Sequence, residues 1–450
     1  MSTANPAPPQ VVLDDVIDRR KVGRFHLLVL ALTGSVMFLD GLDTQVIAFI
    51  APVVAREWGL PVAALGPIFS ASIVGLMIGY LALSPLANRF GQRNVVLAST
   101  AMIGVFSIAS AFAADDVQLI LLRLATGIGL GGAIPSTIAI VSEYAPARRR
   151  SSFVMGIYAC YAFGFVVASL LSGPITRAIG WRGMFVLCGV LPLIAVIALA
   201  LLLPESPSRL LRSEATIRFA QVCRRVAPEV DPGTVVLGPE GRAARAVSAR
   251  SVLTELLQRR WIARTLLLWL AFIVNLGVFY AVLSWLPTIA VQSGTSAGVA
   301  AGGTALLMVG GIIAAAIIGP AMDRRGPFTV LAIVYLLGSV LLLGFALAFS
   351  AGSSAFLISA FLVGTCVAGG QMSVIALSAQ LYPNLIRSTG VGWALGVGRI
   401  GGIVAPLVVG LAIGVGVSAQ TVFTVMGLAM AVAGVAVVLL GRAHRRALAP

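Results

Sequence analysis

Two aspartates three positions apart stand inside an apolar run, in the stretch Phe38-Leu39-Asp40-Gly41-Leu42-Asp43-Thr44. The run reaches from near Phe25 to Pro52, and an ionisable group at such depth costs at least about 3 kcal/mol, so it marks function and needs a partner. At 3.6 residues per turn Asp40, Asp43 and Thr44 share one helix face. Carboxylates there can carry protons, because burial holds a proton on and a nearby arginine drives it off. Arg123 and Arg399 also fall inside apolar runs. Each can hold an anion, pair with an aspartate or tie helices together through backbone carbonyls. Asp40 lies about 15 residues into its run, and Arg123 about six into a run of opposite direction, so the two are expected at a similar level, where a buried Arg–Asp pair is plausible.

With both aspartates ionised and both arginines charged, these four groups sum to zero. An incoming carboxylate adds an uncompensated charge in a low-dielectric region unless a proton enters with it. Asp40 and Asp43 are therefore the expected proton-coupling residues, Asp43 the first choice, with Arg123, Arg399 or both holding an anion. Asn275 and Gln371 are neutral polar groups in apolar runs, suited to a ligand hydroxyl or to bridging helices. Tyr158, Tyr161 and Phe165 recur at helical spacing, and Phe279, Tyr280 and Trp285 form a second aromatic group. Core packing explains both, and stacking on a ring would use them too. Gly75 and Gly79, and Gly127, Gly131 and Gly132, follow the small-xxx-small spacing of close helix packing.

The elements that must position these residues are legible from composition. The chain has 450 residues, 59% hydrophobic and 10% charged, far outside the range of soluble domains. Apolar runs long enough to cross a bilayer recur throughout, so the fold class is an all-α membrane protein. Twelve spans are expected, near 25–52, 62–87, 94–113, 117–142, 151–176, 183–203, 262–287, 297–322, 328–350, 353–381, 388–413 and 417–441. They divide the chain into a tail (1–24), a six-helix half (25–203), a central loop (204–261), a second six-helix half (262–441) and a tail (442–450). The central loop is Arg-rich and broken by Pro228, Pro232 and Pro239, with helix-capable pieces at 206–225 and 250–260 but too little apolar surface for a core.

The net charge of +15 does not indicate nucleic acid, because the charges avoid the apolar runs and fall in alternate loops. Placing both termini in the cytoplasm leaves Arg56, Arg177 and Arg182 as the only basic residues in outside loops. The start reads as a first membrane helix and not a cleaved signal. The 4 cysteines show neither metal-ligand spacing nor a disulfide framework, and the 2 histidines, His26 and His444, lie near segment ends. No phosphate-cradling loop and no nucleophile with a positioned base is visible, so no catalytic residue, metal or cofactor is expected, and the chain is read as not an enzyme.

The halves repeat in parallel. Pro52, Pro85 and Arg89 recur 235 positions on as Pro287, Pro320 and Arg324; Pro146, Arg150, Gly164 and Gly173 recur 237 on as Pro383, Arg387, Gly401 and Gly410. Transporters build a central site between two such halves. The repeat breaks at the charged positions: Asp40 maps onto Asn275, Asp43 onto Val278, Arg123 onto Ala360 and Arg399 onto Ala162. An asymmetric ligand would leave that signature.

These features resemble the major facilitator superfamily, whose loop signature appears as Ser84-Pro-Leu-Ala-Asn88-Arg89-Phe-Gly91-Gln92-Arg93 and again as Gly319-Pro-Ala-Met-Asp323-Arg324-Arg-Gly326. Within it the chain resembles the aromatic acid:proton symporters through Asp40-Gly41-Leu42-Asp43, Gly127-Ile-Gly-Leu-Gly-Gly132, Pro204-Glu205-Ser206-Pro207 and Gly398-Arg399-Ile-Gly401. The resemblance implies twelve helices in two parallel halves, a monomer in a bacterial-type inner membrane, and import of a small aromatic carboxylate with protons. It also implies a cytoplasmic latch, at Asn88, Arg89, Glu143, Asp323 and Arg324, where the first copy has lost the family's aspartate to Asn88. The alternatives are a proton-driven exporter of the same fold, whose span-five Gly-Pro pattern fits poorly at Gly173-Pro174, and a non-transporting aromatic-acid receptor, for which the central loop is short.

Overall fold

The computed structural model describes residues 11–18, 22–83, 86–212, 216–226, 231–236, 258, 261–382 and 384–448. Among these, eleven helices are long and apolar enough to span a membrane. One of them, Ala147–Leu202, holds two spans: Gly180 interrupts it at φ 73° and ψ 171°, a backbone state that favours glycine. The helices are α1 Arg24–Glu57, α2 Leu65–Ala82, α3 Gln92–Ser110, α4 Asp116–Tyr144, α5 and α6 on either side of Gly180, α7 Ile262–Gln292, α8 Ala297–Arg325, α9 Pro327–Phe345, α10 Ser353–Leu381, α11 Asn384–Gly414 and α12 Ala419–Leu448. Exposed apolar side chains such as Leu201, Val340 and Leu411 cover the outside, a surface that requires hydrocarbon around it.

The halves share one packing plan. α1 lies on α5 as α7 lies on α11, α2 on α4 as α8 on α10, and α9 packs on α12. Glycine permits the closest approaches. A Cβ at Gly164 would strike the Phe38 carbonyl, and one at Gly401 would strike the carbonyl of Ile273, the equivalent residue in the second half. Gly75 and Gly127 bring α2 and α4 together in the same way, against Leu124 and Ser72. Without a hydrophobic drive between helices in lipid, such backbone contact is what holds a bundle.

Between the halves, α11 packs on α2, and α8 on the α5–α6 segment. Contact is dense at the end where α1 stops and α2 begins, called here the far end. There Ser70 donates to the Ile403 carbonyl at 2.8 Å, and the Phe69 ring meets Trp285 edge-on at 5.2 Å, Trp285 being held within its own half by a bond to the Pro406 carbonyl at 3.0 Å.

At the opposite, near end the central loop departs from the sequence expectation. Val11–Val12 (β1) pairs in parallel with Val235–Val236 (β2). Leu13, Val16 and Ile17 of the tail join Leu210, Phe219, Val222, Cys223 and Val235 in one buried cluster with α1. The loop alone has too little apolar surface for a core, and the tail supplies the rest. Helices form at Pro207–Arg212 and Thr216–Val226, over most of the piece expected at 206–225 and one residue past it. The piece at 250–260 lies almost wholly outside the described residues.

Candidate functional site

The charged residues form two layers between the ends. Asp40 lies 16 residues into α1 and Arg399 15 into α11, so both stand roughly 23 Å from the near end at 1.5 Å per residue. Asp43, one turn further along α1, stands with Arg123 of α4.

In that second layer the pairing is complete. Arg123 donates from Nη1 to Asp43 Oδ1 at 3.1 Å, and its Nη2 bonds Asp43 Oδ2. Its Nε donates to Ser72 Oγ at 3.2 Å, and its guanidinium lies 5.7 Å from the Phe185 ring centre. Ser107 of α3 donates to Asp43 Oδ1 at 2.8 Å. All of this is buried inside the first half. A buried carboxylate with an arginine on both oxygens and a hydroxyl besides is held firmly in place. Arg123 thus pairs with Asp43 and not with Asp40, the residue expected at its level.

The first layer is unfinished. Asp40 is fully buried and accepts from Thr44 Oγ1 at 3.2 Å, while its Oδ2 has no partner. Arg399 donates from Nη1 to the Tyr280 hydroxyl of its own half at 2.5 Å and, across the interface between the halves, from Nη2 to the Tyr80 hydroxyl at 3.4 Å. Its Nε is buried and unpartnered. Tyr158 and Tyr161 of α5 lie within electrostatic reach of both Asp40 and Arg399, and Tyr161 also of Tyr280. Phe165 sits behind them, its ring 4.9 Å from Tyr161 and tilted by 68°, packed where Gly41 leaves room. The result is a cluster of one acid, one guanidinium and four phenols.

Asn275 and Gln371 stand on α7 and α10 of the second half. Asn275 donates to the Val367 carbonyl at 3.3 Å, and Gln371 follows Val367 by one turn of α10. The carbonyl oxygens of both side chains are buried without a donor. Buried polar atoms are seldom left so, and a ligand carrying its own donors would complete them.

The residues expected to form a latch fall in both halves. Glu143 accepts from Ser206 Oγ at 2.5 Å, from the Ser208 amide at 3.3 Å and from Gln92 at 3.4 Å. Arg89 lies 5.3 Å from the Phe90 ring centre, and its carbonyl accepts from Arg209 at 3.2 Å. Asp323 and Arg324 are exposed at the end of α8, with no ion pair among the described residues. The Asn88 side chain lies outside the described residues.

Sequence reasoning passed over Tyr80, Ser72, Ser107 and Phe185. An arginine alone in an apolar helix demands partners, and polar groups in neighbouring spans were the available signal. Which of many serines and tyrosines would answer depends on helix rotation.

Comparison with known proteins follows the same lines. The sequence matches the Major Facilitator Superfamily over residues 33–355 and 307–449. It is 37% identical over 429 residues to a 4-hydroxybenzoate transporter, PcaK, of Pseudomonas putida, covering 94% of each chain. It is 34% identical to a gallate transporter of Pseudomonas putida over 98% of both chains. A 3-(3-hydroxy-phenyl)propionate transporter of Escherichia coli strain K12 is 33% identical over 92% of this chain and 94% of its own. In fold, the chain is similar to the xylose transporter XylE of E. coli in a partially occluded inward open conformation, with a TM-score of 0.71 at 17% identity, covering 92% and 97% of the two chains.

Proposed function

Because the chain belongs to the aromatic acid transporters of the Major Facilitator Superfamily, we propose that it is a proton-coupled secondary transporter. It imports a small aromatic carboxylate of the hydroxybenzoate, benzoate or phenylpropionate type, by alternating access. The observation that carries this reading is the unfinished layer: an arginine without an acid partner beside an acid without an arginine. Asp43 and Arg123 already neutralise each other, so the working charges are Asp40 and Arg399.

Arg399 receives the substrate carboxylate, two of its N–H groups matching two oxygens. Tyr80, Tyr158, Tyr161 and Tyr280 surround the ring, and the orphan oxygens of Asn275 and Gln371 suit ring hydroxyls. Asp40 carries the proton. With Asp40 ionised the layer is neutral and an entering anion would be uncompensated; with Asp40 protonated the layer is positive and accepts it. Proton and anion therefore load together. The Arg bias of the loops supports a near end in the cytoplasm, hence both termini inside a plasma membrane of the bacterial inner type, and the chain works as a monomer.

The test is uptake into proteoliposomes. Labelled 4-hydroxybenzoate, gallate, benzoate and 3-phenylpropionate are offered under a pH gradient, acid outside, with dye export measured in parallel. Accumulation of at least one acid that collapses with a protonophore is expected. Dye export without acid uptake, or binding without uptake, overturns the reading.

A further inference from the structure

The first and second halves meet along α2 and α11, which run antiparallel in one continuous seam. From the far end, Ala63 lies against Gly414, Gly66 against the backbone of Pro406 and Leu407, and Ser70 bonds Ile403 at 2.8 Å. Ile73 then faces Gly402. The seam ends at Tyr80 and Arg399, with Arg399 Nη2 at 3.4 Å from the hydroxyl and its Cζ 5.5 Å from the ring centre. Nearer the other end, Gly392 and Gly396 of α11 have no atom within 4 Å of where a Cβ would stand. Tyr80 is thus a residue of the first half that holds α11 through the Arg399 side chain. What it holds is the guanidinium that the proposed function gives to the substrate.

We propose that Tyr80 is a positioning residue that couples occupancy of Arg399 to the α2–α11 seam. In the empty carrier its hydroxyl and ring hold Arg399 and keep the far end shut. An arriving carboxylate takes the guanidinium, Tyr80 is released, and the seam is free to part. The exchange runs that way because a phenol is a neutral, single acceptor, whereas a carboxylate is ionised and accepts two parallel N–H bonds. Tyr280 stays with Arg399 throughout, since both belong to the second half and move with it. This inference rests on the assignment of Arg399 to the carboxylate.

Seam opening is read with a buried thiol. In a chain whose four free cysteines are replaced by serine, Ile73→Cys puts a thiol where Ile73 is now buried against α11. A membrane-impermeant maleimide, applied outside, labels it when the seam parts. With Tyr80 intact, labelling is slow without ligand and accelerates with saturating 4-hydroxybenzoate. Tyr80→Phe should raise the unliganded rate at least threefold, Tyr80→Leu should raise it further, and both should blunt the response to ligand. A residue that merely stabilised the fold would not erase that response. Equal unliganded rates in all three chains overturn the coupling. Absence of a ligand response in the Tyr80 chain is resolved by equilibrium binding of labelled 4-hydroxybenzoate to purified protein: binding retained sinks the coupling, binding absent sinks the ligand assignment.

Discussion

Arg123 grips Asp43 with both terminal nitrogens, one to each carboxylate oxygen, in a buried pocket closed by Ser72 and Ser107. Three residues earlier on the same helix, Asp40 bonds no arginine among the described residues. Removing one partner of a buried pair leaves an uncompensated charge and costs about 3–5 kcal/mol, whereas removing both costs far less. Arg123→Gln alone should therefore lower the thermal midpoint in detergent sharply. Adding Asp43→Asn should recover most of the loss. Additive losses in the double variant would show that the pair is not what those residues contribute.

Asp40→Asn should abolish uphill accumulation in proteoliposomes while sparing exchange of internal for external substrate. The proton-loaded state is mimicked permanently, so the anion still binds and crosses but nothing couples it to the gradient. Accumulation that persists in Asp40→Asn and fails only in variants of Asp43 would move the proton to the second layer.

Arg399→Gln should raise the KM for an aromatic carboxylate. A hydrogen bond to a charged group contributes about 1.5–3 kcal/mol, which is roughly 10- to 150-fold in affinity. Inhibition of uptake by the neutral amide of the same ring should change little. Equal losses for acid and amide would mean that Arg399 supports the surrounding cluster without touching the carboxylate.

Gly41 stands where a Cβ would meet the Tyr161 carbonyl, and Gly173 stands in open space. Gly41→Ala must push α5 off α1, at about 1–3 kcal/mol for overpacking, and with it displace Tyr161. Gly173→Ala should leave stability and uptake within error. Thermal melts and uptake rates of the two variants check the contrast; equal effects would refute the role given to the α1–α5 contact.

The tail and loop at the near end are expected to behave as one unit. Burial pushes the Cys223 thiol up to about 11, so at neutral pH it is almost wholly protonated and slow toward maleimide. Val16→Asp puts a charge into that small core and should speed labelling of Cys223 in detergent at least tenfold. No change would mean that the tail does not cover the loop.

Length, period and repetition in the sequence determine most of this architecture. Apolar runs of about 20 residues admit only helices in lipid, since every backbone group must be satisfied within the segment, and the Arg bias supplies an expected orientation. The duplicated Gly164 and Gly401 mark backbone contacts that the structure places at equivalent points in each half. The broken repeat at Asp40, Asp43, Arg123 and Arg399 was enough to single out the charges. It could not say which acid meets which arginine. Asp40 and Asp43 are only about 60° apart around one helix, so a small rotation of α1 decides whether Asp43 or Asp40 meets α4. That rotation is set by the Gly41 and Gly164 contacts between α1 and α5, which are tertiary. Tyr80 was invisible for the same reason: a tyrosine in an apolar run acquires meaning only when α2 and α11, more than 300 positions apart, are zipped together and bring it to Arg399.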